Sequence, residues 1–230
     1  MHTFCKNRNE QPKTTAVSSV MSGLFEFCEA MDSRNPPSEF IIKDRNIELF
    51  HYNAKIGVTR TAATQHEEIK GDVFTTTDQL IIHGTNCLGV MGAGFANVVK
   101  YRYPDVYDEY QLHCRKNMSF VILGTVQFVK SECMDKKIIG NVFTQESVAG
   151  RVAGRPFKYR AFMLAMADVV KYCKANGLTS FSMPRIGSDL GGGDWEVIKH
   201  ILWFMFHNTG IKPNVYVLER PAFGMFKGDK

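Results

Sequence analysis

Two glycine-rich loops constrain this chain more than any other feature. Leu80 to His83 reads as a buried strand. It runs into a loop holding Asn86, Gly89, Gly92 and Gly94, and a helix opens from Gly94. The stretch from Arg185 to Trp195, with Gly187, Gly191, Gly192 and Gly193, repeats this strand–loop–helix order. Glycines let backbone amides turn toward a ligand, and a helix N-terminus adds partial positive charge, so each loop is a ready anion site. Two such loops on one domain imply a ligand with two phosphates.

Composition narrows the class. The chain has 230 residues, is 44% hydrophobic and 22% charged, which suits an ordinary globular protein. A net charge of +5 is compatible with an anionic ligand but is not the dense basic stripe of a dedicated nucleic-acid binder. No apolar run is long enough to span a bilayer, and residues 1–10 lack the apolar core of a secretory signal. The six cysteines are scattered with no Cys-x-x-Cys pair, which argues for reduced thiols and against a zinc site or disulfide framework. A cytoplasmic monomer is expected, with no cofactor, metal or membrane partner.

Residues 1–66 read as an N-terminal extension of unknown role, with a polar, aperiodic start from Lys6 to Ser19. Val20 to Met31 is expected to form an amphipathic helix, and Glu39 to Tyr52 one or two strands. From Glu67 strands and helices alternate. Ile69 to Phe74 is expected as a strand, then Gln79 to His83. Helices follow at Gly94 to Tyr101 and from Pro104 through Tyr110. Strands are expected at Phe120 to Lys130 and Lys136 to Phe143, and a basic loop at 150–155 carrying Arg151 and Arg155. The rest reads as a helix from Lys158 to Ala175, a strand from Ser180 to Pro184, a helix from Trp195 to His207 and a strand from Asn214 to Leu218. This alternation implies an α/β fold with helices on both faces of a mixed, mostly parallel sheet, a three-layer α/β/α domain over 67–220 with a tail at 221–230.

The first loop is neither a Walker loop nor a dinucleotide fingerprint: no Lys-Ser/Thr pair follows the glycines, and Gly92-Ala93-Gly94 is followed by Phe95-Ala96-Asn97. Taken together, four motifs resemble the macro domain, the ADP-ribose-binding module. They are Lys70-Gly71-Asp72-Val73-Phe74, His83-Gly84-Thr85-Asn86 with Gly89 to Ala96, Met183 to Gly187 through Asp194-Trp195-Glu196, and Val215 to Leu218. The resemblance covers about Glu67 to Leu218. It is closest to the branch holding ADP-ribose-1″-phosphate phosphatases and terminal ADP-ribose protein glycohydrolases. It implies a site that binds ADP-ribose, with Asp72 and Val73 at the adenine. The first loop (Asn86, Gly89, Met91, Gly92, Ala93, Gly94, Phe95) lies around the distal ribose. The second (Ile186, Gly187, Ser188, Gly191, Gly192, Gly193) lies around the diphosphate. The nearer branch's glycohydrolases use a lysine and a second-loop aspartate, where this chain carries Gln145 and Gly191.

Each residue type carries a chemistry and a plainer alternative. Asp72 accepts from an exocyclic amine or caps a turn. Asn86 pairs with ribose hydroxyls or caps its loop. His83 titrates near neutrality and is the candidate acid–base, with core packing as its other role. Asp194 is a candidate catalytic carboxylate but stands where a helix N-cap is wanted. Asp189, a carboxylate inside an anion loop, is either turned to solvent or a base near the distal end. Gln145 orients water or a hydroxyl. The resemblance therefore implies hydrolysis of a distally modified ADP-ribose, carrying phosphate or an ADP-ribosylated protein or nucleic acid. The alternative is a reader that binds such targets without turnover.

Overall fold

The computed structural model describes residues 13–44, 47–61, 68–133, 135–148 and 155–218. The chain divides between Ala63 and Thr64 into two compact units. The first holds α1 (Lys13–Met31) and an antiparallel sheet of β1 (Glu39–Asp44), β2 (Ile47–Asn53) and β3 (Gly57–Thr61), in the order β1-β2-β3. Phe27 of α1 is buried against the rings of Phe40, Phe50 and Tyr52, at 5.2, 4.9 and 5.6 Å between centroids. The helix starts seven residues before the expected Val20, because extending a nucleated helix costs far less than starting one. Lys6 to Gln11 and Pro12 lie outside the described residues, and β3 was not expected at all.

The second unit runs β4 (Glu68–Lys70), β5 (Leu80–Asn86), α2 (Gly94–Arg102), α3 (Pro104–Lys116), α4 (Ser119–Ile122), β6 (Val126–Lys130), β7 (Ile138–Gln145), α5 (Tyr159–Ala175), β8 (Ser180–Pro184), α6 (Trp195–Phe206) and β9 (Lys212–Val217). The six strands lie in the order β4-β9-β8-β5-β7-β6. Every pairing is parallel except β6 with β7. This is the three-layer α/β/α architecture with a mixed, mostly parallel sheet.

Two expected strands changed. Ile69 to Phe74 shortens to β4, because Gly71 (φ 141°) turns the chain and Asp72 then caps a 3-10 turn over Val73–Thr75. Phe120 to Lys130 splits into α4 and β6 at Gly124 (φ 86°), a left-handed conformation that ends the run.

Side chains alternate across the sheet. Ile81, Ile139 and Phe143 pack under Val99 of α2, Tyr103 between the two helices, and Val106 and Tyr110 of α3. The opposite face meets α5 and α6, with Phe181 of β8 5.1 Å from Phe206 and Phe128 of β6 stacked on Tyr172 at 3.8 Å. The start of β5 is tied to β8 and β9 by Asp78, which accepts from Ser182 Oγ at 2.6 Å, Asn214 Nδ2 at 2.8 Å and Ser180 Oγ at 2.5 Å. Lys137 Nζ donates to the carbonyls of Thr76 and Asp78 there. No described helix is long and apolar enough to cross a membrane.

Candidate ligand cavity

β5 and β8 are neighbours and parallel, so the loops that follow them leave the same edge of the sheet side by side. They wall a cavity of about 1030 Å3. It runs from Asp72 and Tyr216–Leu218 at the β4–β9 side, past Gly92–Phe95 and Ile186–Gly191, to Gln145 and Val148 at the end of β7. The expected residues Asp72, Val73, Asn86, Gly92, Ala93, Gly94, Phe95, Gln145, Ile186, Gly187, Ser188, Asp189 and Gly191 all line it.

The first loop is held from beneath. Asn86 Oδ1 accepts from Leu88 N (3.0 Å) and Val90 N (3.3 Å), while its Nδ2 donates to Val90 O at 2.6 Å. Tyr110 Oη donates to Asn86 O at 2.7 Å. Asn86 is thus spent mainly on its own turn. Gly89 and Met91, expected at the ligand, do not line the cavity: Gly89 turns (φ 73°) against Cys114, and Met91 is packed in the core. After them Ala93 enters α2 in extended conformation with no side-chain cap, so the first amides of the helix open toward the cavity formed by Ala93, Gly94, Phe95 and Ala96.

The second loop folds on itself. Gly193 N donates to Gly187 O at 2.8 Å and Gly192 N to Asp189 O at 2.9 Å. Those amides are committed within the loop, so the expectation that Gly192 and Gly193 face the ligand is corrected; neither lines the cavity. A Cβ on Gly187 would overlap the Phe157 ring, and one on Gly191 would lie 2.6 Å from Gly187 O. An aspartate at Gly191 therefore has no room in this loop.

Two candidate catalytic residues are displaced. Asp194 lies outside the cavity and is the N-cap of α6, its Oδ1 accepting from Glu196 N at 2.9 Å. His83 is fully buried and does not line the cavity. Its tautomer follows from a chain of bonds. Gln127 Nε2 donates to the Glu109 carbonyl, so Gln127 Oε1 accepts from Asn141 Nδ2, and Asn141 Oδ1 accepts from His83 Nε2–H at 2.8 Å. The bare Nδ1 has no hydrogen-bond partner. Burial, opposed by the bond to Asn141, lowers the imidazole pKa to about 4. The imidazole is sealed beneath Phe95 (5.7 Å between rings), so it packs in the core and does not reach the cavity.

Asp72 lines the cavity while its Oδ1 caps Phe74 N at 3.0 Å. Asp189 is exposed at the cavity wall. Arg185 also lines it, but its guanidinium is paired with Glu68 and lies over Trp195. Burial works to raise the Glu68 carboxyl, yet the bonds from Arg185 and Trp195 outweigh it and hold it below the usual range. Of the basic loop, Arg151 lies outside the described residues. Arg155 donates from Nε to Phe157 O at 3.0 Å and sits over the Tyr159 ring. Sequence reasoning missed the aliphatic rim, Val90, Val98, Val148, Leu190 and Leu218, and the buried Thr85, whose Oγ1 has no partner. Leu190 carried a signal, a leucine set among glycine, serine and aspartate.

Among the described residues no group of three or more His, Cys, Asp or Glu is placed to hold a metal. Comparison with known proteins agrees with this geometry. The chain is 25% identical to a DNA ADP-ribosyl transferase–DNA ADP-ribosyl glycohydrolase fusion protein of Thermosipho africanus, over 82% of this chain but only 49% of that protein. It is 28% identical to an ADP-ribose 1″-phosphate phosphatase of Meyerozyma guilliermondii, over 65% of this chain and 97% of that one. The solved structure of Thermosipho africanus DarTG in complex with ADP-ribose superposes with a TM-score of 0.57 at 23% identity, covering 67% of this chain and 43% of that one. The macro domain family model matches residues 82–202, more than half of the chain, and with the two loops joined at one cavity the chain belongs to the macro domain family.

Proposed function

We propose that the cavity binds ADP-ribose and that the protein hydrolyses the bond between its distal ribose and an attached DNA base. The observation that carries this is the single cavity walled by both glycine loops and the open N-terminus of α2. With the Gly192 and Gly193 amides spent inside the second loop, the amides of Gly94 and Phe95, expected at the distal ribose, hold the pyrophosphate instead; Asp72 accepts from the adenine amine at one end, and Gln145 meets the distal ribose at the other. Asp189 takes a proton from water, the water oxygen bonds to the anomeric carbon, and the departing base leaves with the bond's electron pair and takes up a proton from solvent, to which Asp189 returns the one it took. The names of the relatives support hydrolysis at this kind of ligand. Charge favours a base over phosphate as leaving group: Arg185 is the only basic side chain among the described lining residues and is already paired, while Asp72 and Asp189 are acidic.

A reader is the second reading, favoured by Gln145 and Gly191 at the positions of the nearer branch's lysine and aspartate. One experiment separates them. The protein is incubated with an ADP-ribosylated oligonucleotide and, in parallel, with ADP-ribose-1″-phosphate, and released ADP-ribose and phosphate are measured. Release from the oligonucleotide, lowered about a hundredfold or more by Asp189→Asn, is expected. ADP-ribose binding without release from either leaves a reader, and phosphate release alone makes it a phosphatase.

A further inference from the structure

We propose that an exposed apolar platform on α4 receives the single-stranded DNA flanking the base held at the cavity. This rests on the reading that the adduct is DNA-borne. Phe120, Met118 and Val121 are 75, 67 and 54% exposed in one turn, while Ile122 of the same turn is buried and anchors it. Leu164 of α5, 37% exposed, adds apolar surface at Gly124, two residues after α4. Scattered exposed apolar residues need no explanation, but a run of three large ones does.

Topology puts this platform at the cavity's end of the sheet. β6 runs antiparallel to β7 and starts opposite Val142. Gly124 N donates to Phe143 O at 2.8 Å, so α4 caps the sheet one strand outward from Gln145. The start of α5 lies between them: Lys158 N donates to Thr144 O at 2.9 Å, and a Cβ on Gly124 would lie 3.4 Å from Leu164 Cβ. A strand leaving the distal end of the cavity at Gln145 passes the exposed Glu146 and the chain at Lys158 before it reaches α4.

Charge selects the occupant. Arg115 and Lys116 end α3 just before Met118, and Lys158 and Arg160 stand at the N-cap and second residue of α5, which packs on Gly124 just after α4. Glu109 stands one turn before Leu112, farther from Met118 along α3. An exposed aromatic face between cations suits a base that stacks and phosphates that track the cations. A second copy docked about a two-fold axis would set these cations against themselves.

The test uses the full chain and a labelled, unmodified oligothymidylate, with binding read by fluorescence anisotropy and ADP-ribose binding read by calorimetry. Phe120→Ala is expected to weaken oligonucleotide binding about tenfold. Lys116→Ala with Arg160→Ala is expected to reduce the salt slope by about 1.4. Both variants keep their ADP-ribose affinity. Gly94→Glu is expected to do the reverse, losing ADP-ribose and keeping the oligonucleotide, so a failure of the cavity reading is seen separately. The platform is overturned by no oligonucleotide binding in the parent protein, or by an unchanged affinity in Phe120→Ala. It is overturned equally if duplex DNA or single-stranded RNA binds as tightly as single-stranded DNA, or if polyglutamate displaces the oligonucleotide at equal charge concentration.

Discussion

Leu190 Cδ1 lies 3.7 Å from where a Cβ would stand on Gly94, so the second glycine loop touches the first across the mouth of the cavity. Residues nearly a hundred positions apart thus form one wall. The relationship depends on the adjacency of β5 and β8, and since 3.7 Å is ordinary van der Waals contact, it is the φ of 59° at Gly94 that disfavours a side chain there.

Gly94→Glu is therefore expected to abolish ADP-ribose binding measured by calorimetry. The new carboxylate enters the anion cradle at α2. Gly94 has φ 59°, so the variant also melts a few degrees lower, from a backbone cost of about 1 kcal/mol. A folded variant that binds ADP-ribose as the parent does contradicts the assignment of this loop.

Gly191→Asp is expected to destabilise the protein by about 1–3 kcal/mol and to weaken ADP-ribose binding, not to add activity. Its Cβ would meet Gly187 O at 2.6 Å, so the loop must shift to admit it. Urea unfolding and calorimetry check both effects.

His83 contributes to the expected loss of stability in acid. Its folded pKa, about 4, lies below the ordinary value of 6.5 because burial disfavours the imidazolium. Between these values the unfolded chain binds more protons, so stability is full above about pH 6.5 and falls as the pH drops toward 4, by about 3 kcal/mol in all. Burial lowers the His200 pKa as well, adding loss in the same direction. His83→Gln keeps a donor for Asn141 and is expected to flatten this limb in urea titrations at several pH values, with ADP-ribose affinity at pH 7.5 unchanged.

Asp78→Ala is expected to cost about 3 kcal/mol, because Ser180, Ser182 and Asn214 lose their common acceptor. Burial alone would raise the Asp78 carboxyl, but those bonds and the charge of Lys137 hold it below its ordinary value. Its contribution is present above that value and is lost as the pH falls through the folded one. Asp78 precedes β5, at the sheet end away from the cavity, so ADP-ribose affinity measured on the folded variant is expected to match the parent.

The amino-acid sequence by itself determined the alternation of strands and helices from Glu68 onward, the fold class and the two glycine loops, because apolar periodicity and glycine spacing are local properties. It also carried Asp72, Gln145 and Asp189 to the cavity. Only the tertiary structure decided which polar groups line the cavity. His83 alternates with Gly84 and is sealed beneath Phe95; Gly192 and Gly193 turn their amides inward; Asp194 is drawn to the first turn of α6; and Leu190 reaches Gly94. Burial, strand order and a shared hydrogen bond between distant residues have no period along a chain, so they exist only once the chain has packed.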